Sequence, residues 1–120
     1  MSPLVCIAAA LAGGVGAALR FLVDAGVSRL TGTRFPWGIV LVNITGSLAL
    51  GIVVTALPDA AFIAGAGLLG GYTTFSTAML DALLLWRDGE RPAAVAHVLG
   101  TFAASVLAAL AGLAIGSLLG

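Results

Sequence analysis

The chain has 120 residues, of which 61% are hydrophobic and only 8% are charged. Soluble domains carry about 25% charged residues, so this sequence cannot cover a water-facing surface and belongs in a bilayer as an integral membrane protein. A formal net charge of zero argues against nucleic acid as a partner, and a single cysteine, Cys6, leaves no intrachain disulfide framework or cysteine metal site.

Four apolar spans are expected in one integral membrane domain covering residues 1–120, at about 3–23, 37–57, 60–86 and 92–119. The fold class is therefore an all-α membrane protein. Residues 3–23 are read as a span rather than a cleaved leader, because no basic residue precedes the apolar run and three further spans follow. Gly13, Gly16 and Ala17 share one face of that helix, where a second backbone can approach closely. Arg20 is expected near the membrane boundary. It serves there as a snorkelling anchor, as an anion-attracting charge, or as a structural donor to helix ends. Residues 24–36, with Asp24, Arg29, Gly32, Arg34 and Pro36, form a polar connector with room for a short surface helix.

Trp37 opens the second span at the interface, where indoles concentrate. Asn43 is its informative residue. An amide inside a bilayer needs partners, either as glue between helices or along a polar pathway, and the latter is favoured by the next span. Pro58 and Asp59 form a tight turn that makes the second and third spans antiparallel neighbours.

The third span contains GAGLLGGYTTFSTA at positions 65–78. Gly70 and Gly71 weaken helix continuity, and Thr73, Thr74, Ser76 and Thr77 can satisfy backbone groups released inside the bilayer. A helix broken near the membrane midplane is expected here. Its first half would end in carbonyls suited to a cation, and its second would begin with N–H groups suited to an anion. A plain glycine packing face followed by back-bonded threonines would explain the glycines alone; the unbroken GGYTTFST run favours the break. Asp81 lies toward the far end of this span, near interfacial water or an arginine.

Arg87 to Pro92 form the last connector. In the fourth span His97, Thr101 and Ser105 recur every four residues, which stacks them along one helix face as a polar track. Enzyme chemistry has no footing: there is one histidine, no lysine, no acidic pair within a span and no phosphate loop.

GGVGAALRF at 13–21, WGIVLVNITGSLALG at 37–51 and GLLGGYTTFSTA at 67–78 together resemble the Fluc/CrcB fluoride channel family over essentially the whole chain. The resemblance implies a fluoride-specific channel in the cell inner or plasma membrane, built as an antiparallel dimer with pores along the subunit interface. It implies a structural sodium ion at the dimer centre, on the backbone carbonyls of Gly70 and Thr73. It also implies a fluoride pathway through Asn43, Phe75, Ser76, Thr77, His97, Thr101 and Ser105. A second pore ring of the family falls on Ala78, so this chain departs from the pattern there.

Arg29, Arg34, Arg87 and Arg91 all lie in the two connectors on one side. That bias sets one insertion direction, so the expected assembly is a homodimer or, as the bias favours, a heterodimer with an oppositely oriented paralogue. A small multidrug or cation exporter half is the runner-up, but it would need a carboxylate in mid-span. A non-transporting assembly subunit is the third reading.

Overall fold

The computed structural model describes residues 2–120. Four segments are long and apolar enough to cross a membrane, Pro3–Thr31, Trp37–Ala56, Pro58–Arg87 and Arg91–Leu119, and the described residues contain no strand. The chain is a multi-pass, all-helical membrane protein. Large apolar side chains such as Leu11, Phe21, Leu83, Leu107 and Leu118 stand on its outer surface, as lipid contact requires.

Helix α1 (Pro3–Thr31) begins where the Ser2 hydroxyl accepts the Val5 N–H at 3.2 Å, with Pro3 at its first position. It stops at Gly32, whose φ of 83° suits glycine and whose N–H returns to the Ser28 carbonyl. At 1.5 Å per residue, its 29 residues extend about 44 Å, longer than a hydrocarbon core of about 30 Å. Most of the expected connector 24–36 is thus a continuation of this helix, and the loop proper is only Gly32 to Pro36.

Helix α2 (Trp37–Ala56) leads through Leu57 into the third span. That span opens with a 3₁₀ turn at Pro58–Ala60 and continues as a π-helix over Ala61–Leu69, where the Gly70 N–H reaches the Gly65 carbonyl five residues back. A single turn, α3 (Gly70–Tyr72), follows. Thr73 then takes extended dihedrals, φ −75° and ψ 155°, and α4 (Ser76–Arg87) resumes the helical course.

Helix α4 ends in a Schellman motif. The Gly89 N–H donates to the Trp86 carbonyl, the Glu90 N–H donates to the Leu85 carbonyl, and Gly89 has a φ of 84°. Helix α5 (Arg91–Leu119) then returns across the molecule. The two connectors meet at one end, where Arg34 Nη2 lies 3.7 Å from Glu90 Oε1 and the Arg91 guanidinium sits 4.7 Å above the Trp86 ring.

Glycines fix the helix contacts. Gly16 is the buried residue of α1, and a Cβ there would overlap the Leu68 carbonyl oxygen; one on Gly71 would strike the Gly13 backbone. The face expected of Gly13 and Gly16 therefore packs backbone to backbone on the third span. Helices α2 and α5 form the most extensive pair, with Gly51 against Gly112 and Gly116 against Thr55. The core lies toward the connector end and is small: Ile39, Val42, Ala78, Ala82, Leu85 and Ala94.

Candidate functional site

Extending the chain at Thr73 removes helical hydrogen bonds in the middle of an apolar span, and the neighbouring elements replace them. The Asn43 side chain of α2 does so from both sides of one residue. Its Nδ2 donates to the Thr74 carbonyl at 2.9 Å, and its Oδ1 accepts the Thr74 N–H at 2.8 Å. Both residues are buried, at 9% exposure each, so this bracket works out of reach of water. The Thr74 hydroxyl accepts the Thr77 N–H at 3.2 Å and so caps the first turn of α4.

Thr73 turns its own hydroxyl back to the Leu69 carbonyl at 3.0 Å, and its carbonyl faces Arg20 Nη1 at 3.5 Å. Arg20 is thus not free at the lipid boundary. It reaches from α1 to the centre of the third span as a donor to the carbonyl left without a helical partner.

A groove of about 500 Å³ lies beside this bracket, between α2, the third span and α5. Asn43, Thr73, Thr74, Phe75, Thr101 and Ser105 line it, with Ser47 and Phe102. It brings together five residues expected at a site from three distant parts of the chain: Asn43, Thr73, Phe75, Thr101 and Ser105. The Ser105 Oγ is buried and has no hydrogen-bond partner. The rings of Phe75 and Phe102 are 78% and 71% exposed, so one side of the groove is open at the protomer surface.

The other expected residues stand elsewhere. Ser76 is exposed and Thr77 partly buried on the first turn of α4, outside the groove wall. Gly70 is exposed, and the Thr74 N–H that would close on its carbonyl goes to Asn43 instead. His97 is 1% exposed and sits behind the wall, with Nε2 3.1 Å from the Ala78 carbonyl and Nδ1 3.4 Å from the Thr101 hydroxyl. The Phe35 ring packs at right angles to it, 5.6 Å between centroids.

Three wall residues were not singled out for the site from sequence. Thr74 was visible only as one more hydroxyl, because its partner lies 31 positions away. Phe102 carried a faint signal as the neighbour of Thr101, and Ser47 one as a small polar residue a turn after Asn43. Among the described residues no group of three His, Cys, Asp or Glu side chains could hold a metal ion.

Four apolar spans around a groove lined by hydroxyl and amide side chains define a small multi-pass membrane protein. The chain belongs to the family described as CrcB-like protein, Camphor Resistance (CrcB), which matches residues 7–113. It is 42% identical over 117 residues to the fluoride-specific ion channel FluC of Chelativorans sp., covering 92% of this chain and 90% of that one. It is 46% identical over 104 residues to fluoride-specific ion channel FluC 2 of Mycobacterium bovis, with coverage of 85% and 82%. Against fluoride-specific ion channel FluC 1 of Rubrobacter xylanophilus the identity is 41% over 115 residues, with 93% of each chain covered.

Proposed function

We propose that this protein is a fluoride-specific channel subunit, not an enzyme, and that it lets fluoride leave the cytoplasm passively across the cell inner membrane. The observation that carries the reading is the groove, in a chain whose relatives bear that name over most of their length. Fluoride is small and strongly hydrated, so a pathway must replace its water with hydrogen-bond donors. The unpartnered Ser105 hydroxyl offers one on α5, and the electropositive edges of Phe75 and Phe102 can face an anion at the open side. Phe102 stands on the same wall as Ala78, the position where the family's second ring falls.

The functional unit in this reading is an antiparallel dimer that closes the open side of the groove. The third span is a helix broken near the membrane midplane at Thr73. A structural sodium ion fits the carbonyls of Gly70 and Thr73: Gly70 has lost its helical donor to Asn43, and a carbonyl oxygen keeps a second lone pair even where Arg20 contacts it. Bound there, the ion would supply a fixed positive charge near the anion path.

One observation favours a heterodimer over a homodimer. Arg29, Arg34, Arg87 and Arg91 all belong to the connector end, which directs this chain to insert one way. Fluoride efflux from liposomes holding the purified chain, with chloride as the control anion, tests the function. Fluoride-selective efflux supports the channel and, from this chain alone, defeats the obligate heterodimer. Silence that persists after an oppositely biased paralogue is added would overturn the channel.

A further inference from the structure

The hydrogen bonds around His97 fix which way a groove hydroxyl points. The Ala78 carbonyl, 3.1 Å from Nε2, can only accept, so Nε2 carries the ring proton. In the neutral ring Nδ1 then holds a lone pair, and the Thr101 hydroxyl 3.4 Å away must donate to it. This is the one hydrogen bond of the Thr101 hydroxyl among the described residues. Its single proton is turned toward the ring, and its lone pairs are left for the groove. That is the wrong polarity for an anion.

We propose that His97 is a positioning residue whose protonation reverses the Thr101 hydroxyl and so turns one wall position of the groove from acceptor into donor. A proton taken from water onto Nδ1 makes that nitrogen a donor. The Thr101 oxygen accepts the new bond, and its own O–H is released toward the groove. Ser105 lies one turn further along α5, with an Oγ that has no partner, so the released donor opens beside a wall hydroxyl with unused hydrogen-bonding capacity. No covalent bond other than the N–H changes.

The charges around the ring are few. Helix α2 carries no ionisable side chain. The third span contributes Asp81, which is within electrostatic reach of His97 and of Asp24 on α1. Arg87 lies beside Asp88, its Nε 3.6 Å from that carboxylate; Arg91 is over Trp86, and Arg34 faces Glu90 in the adjoining connectors. The imidazolium would thus have the Asp81 carboxylate within reach as counter-charge. Acid should open the pathway.

This inference rests on the fluoride-channel reading, and the test separates the two. Fluoride current is recorded across planar bilayers holding the channel, with the paralogue if it is needed, between about pH 8 and pH 5. Neutral hydrogen fluoride carries no current, so its own leak does not enter. The expected result is a rise of about tenfold on acidification, the scale of one added hydrogen bond to a charged partner. His97→Gln offers one donor and one acceptor, like the neutral ring, but no titratable site, and its current should stay flat at the alkaline level. Thr101→Val, which leaves the ring bonded to Ala78, should also be flat, and it carries the test if the glutamine variant does not fold. A wild-type current that is flat or falls on acidification, or a rise that survives either substitution, overturns the inference while leaving the channel intact. Absence of fluoride current at every pH overturns the channel reading itself.

Discussion

The hydroxyls of the third span and those of α5 face the same groove and are used in opposite ways. Around Thr73 and Thr74 the polar groups are taken up by protein: Asn43 holds both sides of Thr74, the Thr74 hydroxyl caps α4, and Thr73 bonds back to Leu69. Along α5, Thr101 has one partner and the Ser105 Oγ has none. The dense motif is thus the scaffold, and the sparse ladder keeps hydrogen-bonding capacity to spare. Abundance of polar atoms does not mark where an ion can bind; unused capacity does.

The contrast is broken most severely at Asn43. Asn43→Ala leaves the Thr74 N–H and carbonyl buried without partners, at roughly 1–3 kcal/mol for each group. Thermal unfolding in detergent should show a large fall in midpoint, with loss of fluoride flux as a consequence of the lost structure. An Asn43→Ala protein that unfolds like the wild type would remove the scaffold half of the comparison.

Ser105→Ala sharpens the other half. Its hydroxyl has no protein partner, so unfolding should be unchanged within about 0.5 kcal/mol, whereas fluoride efflux should fall by about tenfold. A loss of stability with flux intact would assign Ser105 to packing. The smallest effect belongs to Arg34→Ala at the connector end. The Arg34–Glu90 pair is exposed, with side chains 89% and 45% accessible, and its removal should move the unfolding free energy by less than about 0.5 kcal/mol and leave flux unaltered.

The four spans were legible because length and apolarity decide them locally, and Gly32 and Gly89 mark the ends of α1 and α4 through the backbone freedom those turns need. The continuation of α1 to Thr31 was less so, since Asp24 and Arg29 look like loop residues until the helix is seen to outrun the bilayer. At the site, Asn43, Thr101 and Ser105 could be chosen because polar side chains in a bilayer demand a reason. Their division of labour could not, because it depends on contacts between spans. Nothing near Asn43 in sequence says that its amide is committed to Thr74, and nothing near Arg20 says that it reaches Thr73. The spacing of four put His97 with Thr101 correctly on one face, but its enclosure by Phe35 and Ala78 comes from two other parts of the chain.

The Asn43 bracket also bears on how the protein is made. Asn43 enters the bilayer with an amide that nothing yet satisfies, and the peptide group that completes it is synthesised 31 residues later. At about 5–20 residues per second, that interval is on the order of 2–6 s. Throughout it, α2 must hold its polar group within the translocation machinery or against a transient neighbour. The tight turn at Pro58 and Asp59 then delivers the third span directly to its side. The second and third spans therefore complete each other, since the amide of one is satisfied only by the peptide group of the other.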